Sequence, residues 1–212
     1  MSLEFQVALF LNFNMEKEIN RWYKKLWETK GNRFIASKRY ERIDRFSSIT
    51  IYIVTAYILC VNLLILLPQR PKSLSNDNLS FFSICASIII LVISIYIPSR
   101  RYNDIAIKFH SCAREINILY DKVCLWKVDI SSIRDSDIMQ LIEDYNHILK
   151  VYDINHSKLD YSIFKCENSS EYKLKCLFFY KIKIYFFNFM NYYFIYVCAI
   201  VLPIVILILL FK

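Results

Sequence analysis

Glycine is almost missing from this chain: one residue, Gly31, among 212. That excludes a Gly-rich phosphate loop or a dinucleotide fingerprint, which need several glycines so that backbone can approach a pyrophosphate. Charge is missing too, over three long runs. Ile49–Leu67, Leu79–Ile97 and Ile184–Phe211 contain no Asp, Glu, Lys or Arg, which argues against a proton relay or an ion-coupled transporter. The seven cysteines, at 60, 85, 112, 124, 166, 176 and 198, form no C-x-x-C pair. Their scatter reads as reduced, small apolar residues rather than a disulfide framework or a zinc site. His110, His147 and His156 are isolated in sequence, and Asp153, Asp160 and Glu167 lack metal-ligand spacing. Asn155-His156 with Asp160-Tyr161 makes a polar cluster, but no nucleophile with a matched base accompanies it, and structural hydrogen bonding is the better account of each histidine. No catalytic, cofactor-binding or metal-ligating set is expected, and the chain is not read as an enzyme.

What is present is apolar surface of membrane length. The first two runs have 19 residues each, about 28 Å as helices at ~1.5 Å per residue, close to the ~30 Å hydrocarbon core of a bilayer. A connector, Pro68 to Asn78, carries two prolines with Gln, Ser and Asn. A helical hairpin through a membrane follows, because lipid tolerates only helices or closed barrels. The third run holds Pro203, a position where a helix can kink. Tyr185, Tyr192, Tyr193 and Tyr196 crowd its first half. Such rings favour the headgroup level, so Phe194–Phe211 is expected to span and Ile184–Tyr193 to be an interfacial lead-in on the same helix.

Charge orients these spans. Ten lysines and arginines between Lys17 and Arg45 precede the first, and Arg100, Arg101, Lys108 and Arg114 follow the second, whereas the connector has only Arg70 and Lys72. The positive-inside bias puts the N-terminal region and residues 99–183 in the cytoplasm, with the connector and the C-terminus outside. Lys181 and Lys183 agree with this, and most of the net charge of +8 is accounted for by it. The opening MSLEFQVALFLNFN lacks the basic start and cleavage site of a signal peptide, and is expected on the membrane surface or against the cytoplasmic helices.

The fold class is therefore an all-α membrane protein: a transmembrane helical hairpin (47–98), N-terminal cytoplasmic or interfacial helices (1–46), a cytoplasmic helical region (99–183) and an additional C-terminal transmembrane helix (184–212). In the first region Ile19, Trp22, Tyr23, Leu26, Phe34, Ile35, Ile43 and Phe46 recur at helical steps, with an interruption near Thr29-Lys30-Gly31-Asn32. Ile105, Phe109, Cys112, Ile116, Leu119, Val123 and Trp126 follow steps of 4, 3, 4, 3, 4 and 3, a heptad seam. Ser136 or Asp135 can cap a further helix whose face is Ile138, Leu141, Ile142, Tyr145, Ile148 and Leu149. Each face must be covered, either within one subunit or as an oligomerisation or partner seam.

Two polar patterns remain. Ser48, Thr55 and Asn62 recur every seven residues in or beside the first span, and Ser80, Ser87 and Ser94, with Ser83, do so in the second. Such a stripe either packs helices closely or lines a water-filled pathway after assembly. Lys38, Arg39, Arg42 and Arg45 form one basic face just before the membrane. Anionic lipid is its default partner, and a nucleic acid would meet the same side chains.

The stretch Trp27-Glu28-Thr29-Lys30-Gly31-Asn32-Arg33-Phe34-Ile35-Ala36-Ser37-Lys38-Arg39-Tyr40, leading through Ser47 and Ser48, resembles the entry signature of the SLATT family of two-transmembrane effector domains. Phe109-His110-Ser111-Cys112-Ala113-Arg114-Glu115-Ile116-Asn117-Ile118-Leu119-Tyr120 is similar to its H-x-C-A-x-E-I-N-x-L-Y pattern, and Asn155-His156 with Leu159-Asp160-Tyr161 and Phe164 to a third block. The blocks occur in family order over roughly residues 16–165, and the C-terminal span looks like an addition to the two-span core. The subgroup it resembles most is found beside reverse transcriptases, as in retrons. The resemblance implies an antiphage effector in the bacterial inner membrane that oligomerises and breaches it on infection. A reverse transcriptase with its RNA–DNA product would be the restraining partner. The alternatives are a cyclic nucleotide trigger, or a non-lytic anchor or scaffold for a soluble partner.

Overall fold

In a computed structural model of the chain, residues 3–66, 76–172 and 177–210 are described, and all their regular structure is helical. The helices are α1 (Leu3–Leu66), α2 (Asn76–Ser99), α3 (Tyr102–Trp126), α4 (Asp135–Tyr152), α5 (Lys158–Glu167), α6 (Ser169–Tyr172), α7 (Leu177–Tyr192) and α8 (Phe194–Leu210), with a short 3-10 turn at Ile130–Ser132. Most of the expected connector falls outside the described residues. Two compact units result: Met1–Arg39 with Ile105–Lys181, and Tyr40–Asp104 with Ile182–Lys212. One helix, α1, belongs to both.

The first unit is built on the heptad seam. Cys112, Ile116, Leu119 and Val123 of α3 meet Ile19, Trp22 and Leu26 of α1 and Leu141, Tyr145 and Ile148 of α4 in one buried cluster. Spacings of three and four put these side chains on one face of each helix. The Trp22 and Tyr145 rings meet edge to face at 5.4 Å. Phe109 is buried as well, Trp126 packs on the cluster edge, and Ile105 is half-buried. The seam is thus covered by the chain's own helices, and the reading of it as an oligomerisation or partner surface is corrected: such a contact would have to open this core.

The interruption expected at Thr29–Asn32 does not occur; α1 runs straight through it. Gly31 serves close approach instead, because a Cβ there would run into the Phe164 ring of α5. The start of α4 also differs. Its N-cap is Arg134, whose backbone N–H donates to the Asp137 carboxylate at 3.0 Å, rather than Ser136 or Asp135.

In the second unit a stripe of α1, Ile43, Ser47, Thr50, Val54, Ile58 and Val61, is buried, together with Ser83 and Ile97 of α2 and Ile184 of α7. Ser83 Oγ donates to Asn62 Oδ1 at 2.5 Å, joining α1 to α2. Large apolar side chains such as Leu59, Leu63, Ile88, Leu91 and Ile95 point outward, as lipid-facing residues do. Among the described residues two helices are long and apolar enough to cross a membrane, three spans if the bent pair counts as one. This is an all-α membrane protein. The third apolar run is not a single helix: α7 and α8 meet at a 64° bend around Tyr193, while α8 continues through Pro203. Tyr193 and Tyr196 pack there against Phe46 at 5.5 and 6.2 Å, in the second unit, so ring packing accompanies the turn where the proline does not.

Candidate functional site

The polar chemistry of the first unit concentrates where α1 residues 28–39 face the loop 153–157 and α5. The loop opens on Asp153, in the left-handed region at φ 41°, with its N–H on the Leu149 carbonyl. It closes on Ser157, the N-cap of α5. Ser157 Oγ takes the Asp160 N–H, and the Asp160 carboxylate takes the Ser157 N–H at 2.9 Å and hydroxyl at 2.7 Å. This is a reciprocal capping box. The same carboxylate receives Arg39 Nε at 2.7 Å and Nη2 at 3.1 Å. Both side chains are sealed from solvent, at 4% and 0% exposure. One carboxylate therefore caps α5 and ties it to α1.

Six residues earlier on α1, Arg33 is 3% exposed. Its Nη1 donates to the Ile154 carbonyl at 2.6 Å, and its Nε is buried with no hydrogen-bond partner among the described residues. No carboxylate lies within 4.0 Å of it among the described residues. A cleft of about 340 Å³ in the same unit is lined by Glu28, Thr29, Asn32, His156, Ser157, Lys158 and Tyr161. Asn32 Oδ1 and His156 Nδ1 are buried there and also lack partners among the described residues. At the cleft's rim Tyr172 donates to Glu28 at 2.7 Å, and burial, then that carboxylate, raise the Tyr172 pKa, keeping it a donor. A second cleft, about 360 Å³, is lined by Tyr23, Lys24, Trp27, Glu171 and Tyr172.

Burial, and after it the Arg33 charge, push the His156 pKa below 6.5 against the pull of Asp160. The unfolded chain then takes up a proton near pH 6.5 that the folded unit resists, so stability falls as pH drops through 6.5 towards the folded value. His156→Gln should remove that part of the slope between about pH 7.5 and 5.5, read by tryptophan fluorescence during unfolding; an unchanged slope would mean that other groups carry it.

The expected site residues separate. Lys38, Arg42 and Arg45 are exposed on one face, with Arg45 pairing to Glu41 at 3.0 Å. Arg39 is not part of that face. It lies ~100° around the helix from Lys38 and is buried on Asp160, so its assignment to lipid or nucleic acid is corrected. Of the stripes, Asn62 and Ser83 meet each other. Ser48, Ser80 and Ser94 are half-buried, and Thr55 and Ser87 are exposed, their hydroxyls on the Ile51 and Ser83 carbonyls of their own helices. No group of three His, Cys, Asp or Glu among the described residues could hold a metal. Sequence reasoning missed Asn32 and Arg33 as buried polar groups. The S-x-x-D box at Ser157–Asp160 was the available signal for the start of α5.

A family model described as SMODS and SLOG-associating 2TM effector domain family 5 matches residues 15–209. The chain belongs to this family. No curated protein and no solved structure gives a match. The match runs through α7 and almost all of α8, so the C-terminal apolar run lies within the matched region. The two spans in the family's description correspond in number to the two long apolar helices, α1 and α2 with its α3 extension. The bent α7–α8 pair comes in addition. Of what the resemblance implied, the family description gives the coarser part, a two-transmembrane effector domain.

Proposed function

We propose that this chain is a membrane effector of bacterial antiphage defence. It oligomerises and permeabilises the inner membrane when a cytoplasmic trigger is sensed, and it is not an enzyme. The observation that carries this reading is α1. A single helix runs from the core of the first unit, at Trp22, past Arg33 and Arg39, and into the apolar span that ends at Leu66. A change at Arg33 or Arg39 is therefore a change on the same helix that crosses the membrane, the kind of two-state element a switch requires. The exposed Lys38, Arg42 and Arg45 favour the N-terminal region and residues 99–183 on the cytoplasmic side. In this reading a reverse transcriptase with its RNA–DNA product restrains the effector through that basic face. A cyclic nucleotide is the alternative trigger.

Homo-oligomers would meet through the outward side of α2, where Ser87 lies exposed among Ile84, Ile88 and Leu91. Small residues permit close helix approach, and a bulky one there would forbid it. Induction of the chain alone should depolarise cells loaded with a potential-sensitive dye, and co-expression of its genomic neighbours should suppress this. Ser87→Leu should reduce depolarisation at least ~10-fold with insertion unchanged. A fully active, inserted Ser87→Leu protein would refute the stripe's role. An inserted wild-type protein that never depolarises, alone or with its neighbours, would leave a non-lytic anchor.

A further inference from the structure

One end of the second unit gathers phenols around a single exposed guanidinium, that of Arg100, just after α2. Arg100 Nε donates to the Tyr96 hydroxyl at 2.9 Å, Nη2 donates to the same oxygen, and the group lies 4.7 Å from the Tyr96 ring centre. A phenol oxygen is neutral, so these bonds hold the side chain in place and leave its charge unmatched. No carboxylate lies within 4.0 Å of it among the described residues. Two acids of this unit are paired elsewhere, Asp104 with Arg101 at 3.6 Å and Glu41 with Arg45 at 3.0 Å. The groups that act on Arg100 most strongly are the phenols of Tyr96, Tyr102 and Tyr196. Tyr102 opens α3, half-buried, with its ring stacked on Tyr40 at 6.1 Å, and Tyr196 comes from α8. Between the guanidinium and Tyr102, Arg101 holds the left-handed region at φ 50°, a costly conformation for a residue with a side chain and one that recurs at ligand clamps.

We propose that the junction of α2 and α3 is a headgroup site for an anionic phospholipid. The phosphodiester accepts from Arg100 and from the tyrosine hydroxyls. Tyr96 uses its oxygen to accept from Arg100, which leaves its O–H to donate. Guanidinium and phosphate geometry are matched for such contacts. Depth favours a lipid as the source. The uncharged run of α2 ends at Ile97, three residues before Arg100, and tyrosine rings prefer the headgroup level. The helices that supply Tyr96 and Tyr196 also present Val92, Ile95 and Ile195 outward, each at least 60% exposed, where acyl chains can lie. Charge selects the class of lipid. One guanidinium matches a headgroup whose only charge is its phosphate, whereas a choline or ethanolamine headgroup brings a second cation beside Arg100. The site rests on the membrane class of the chain and does not depend on whether the chain permeabilises a membrane.

The test places the full chain in nanodiscs of phosphatidylcholine and phosphatidylglycerol in equal parts, and counts by native mass spectrometry the lipids that stay bound when the discs are opened. Phosphatidylglycerol should be retained over phosphatidylcholine by ~10-fold or more, the scale of one charge-assisted contact. Arg100→Gln should remove that preference. The double variant Tyr96→Phe, Tyr102→Phe keeps every charge and loses only two hydroxyls, and it should lower retention ~3-fold or more. Arg42→Gln, on the exposed basic face, should leave retention unchanged. Equal retention of the two lipids would overturn the proposal. So would an unaltered preference in the tyrosine variant, or a loss in Arg42→Gln as large as in Arg100→Gln, because either result would mean that general surface charge attracts the lipid. Displacement of the bound lipid by a single-stranded oligonucleotide, in wild type but not in Arg100→Gln, would assign the site to nucleic acid and overturn it as well.

Discussion

Asp160→Ala should cost the first unit about 3–5 kcal/mol, the usual loss when one partner of a buried ion pair is removed and the other charge stays behind. The carboxylate is fully buried, takes two donors from Arg39, and also accepts both the N–H and the hydroxyl of Ser157. Loss of the α5 cap contributes about 1 kcal/mol within that total. The pair itself is worth much less than its rupture, because both ions were taken out of water to make it. The double variant Arg39→Met, Asp160→Leu should therefore recover most of the loss. Trp22, Trp27 and Trp126 all lie in the first unit, so tryptophan fluorescence during denaturant unfolding reads it selectively. A single variant as stable as wild type, or no more harmful than the double, would show that the pair does not hold α5 to α1.

Gly31→Ala should destabilise the same unit by about 1–3 kcal/mol, although alanine is favoured over glycine in a helix by ~1 kcal/mol. The added methyl meets the Phe164 ring. That ring has little freedom to withdraw: it is 4% exposed and packs edge-on against Trp27 at 4.8 Å and Tyr172 at 6.2 Å. With Phe164→Leu in the background the clash is relieved, and the helix preference should then make Gly31→Ala neutral or stabilising. The same reporter measures this cycle. A stabilising Gly31→Ala in the wild-type background would mean that α5 stands farther from α1 than the structure places it.

The contrast between Gly31 and the heptad seam shows what could be read locally. The seam positions Phe109 to Val123 are apolar at a helical period, and that period is a property of the segment itself, so the buried face of α3 was legible. What covers the face was not, because α1 and α4 lie far away in sequence and a periodic stripe is equally suited to another copy. Gly31 looked like a break for a related reason: glycine lowers helix propensity wherever it stands, and only the ring of Phe164 shows that it was needed for room. The basic face failed at one position. Lys38 and Arg39 are adjacent, but the helix turns ~100° between them, and Arg39 finds a carboxylate 121 residues away. At Tyr193 the tyrosines divided the run Ile184–Phe211 in the right place, but one continuous helix was expected there, and nothing in the uncharged run signalled the bend.

By itself the sequence determined the helical class and the membrane-length segments, because uncharged runs of 19 residues and their flanking charges act through hydropathy and length, which need no partner. The family blocks were equally local. The tertiary structure alone decided which polar groups are buried together. Asn32 and His156 come to one cleft, Arg33 to the Ile154 carbonyl and Arg39 to Asp160 only when α1 packs against the 153–157 loop and α5. Burial turns ordinary surface residue types into groups whose charge and hydrogen bonds must be matched, and that demand exists only once water has been excluded.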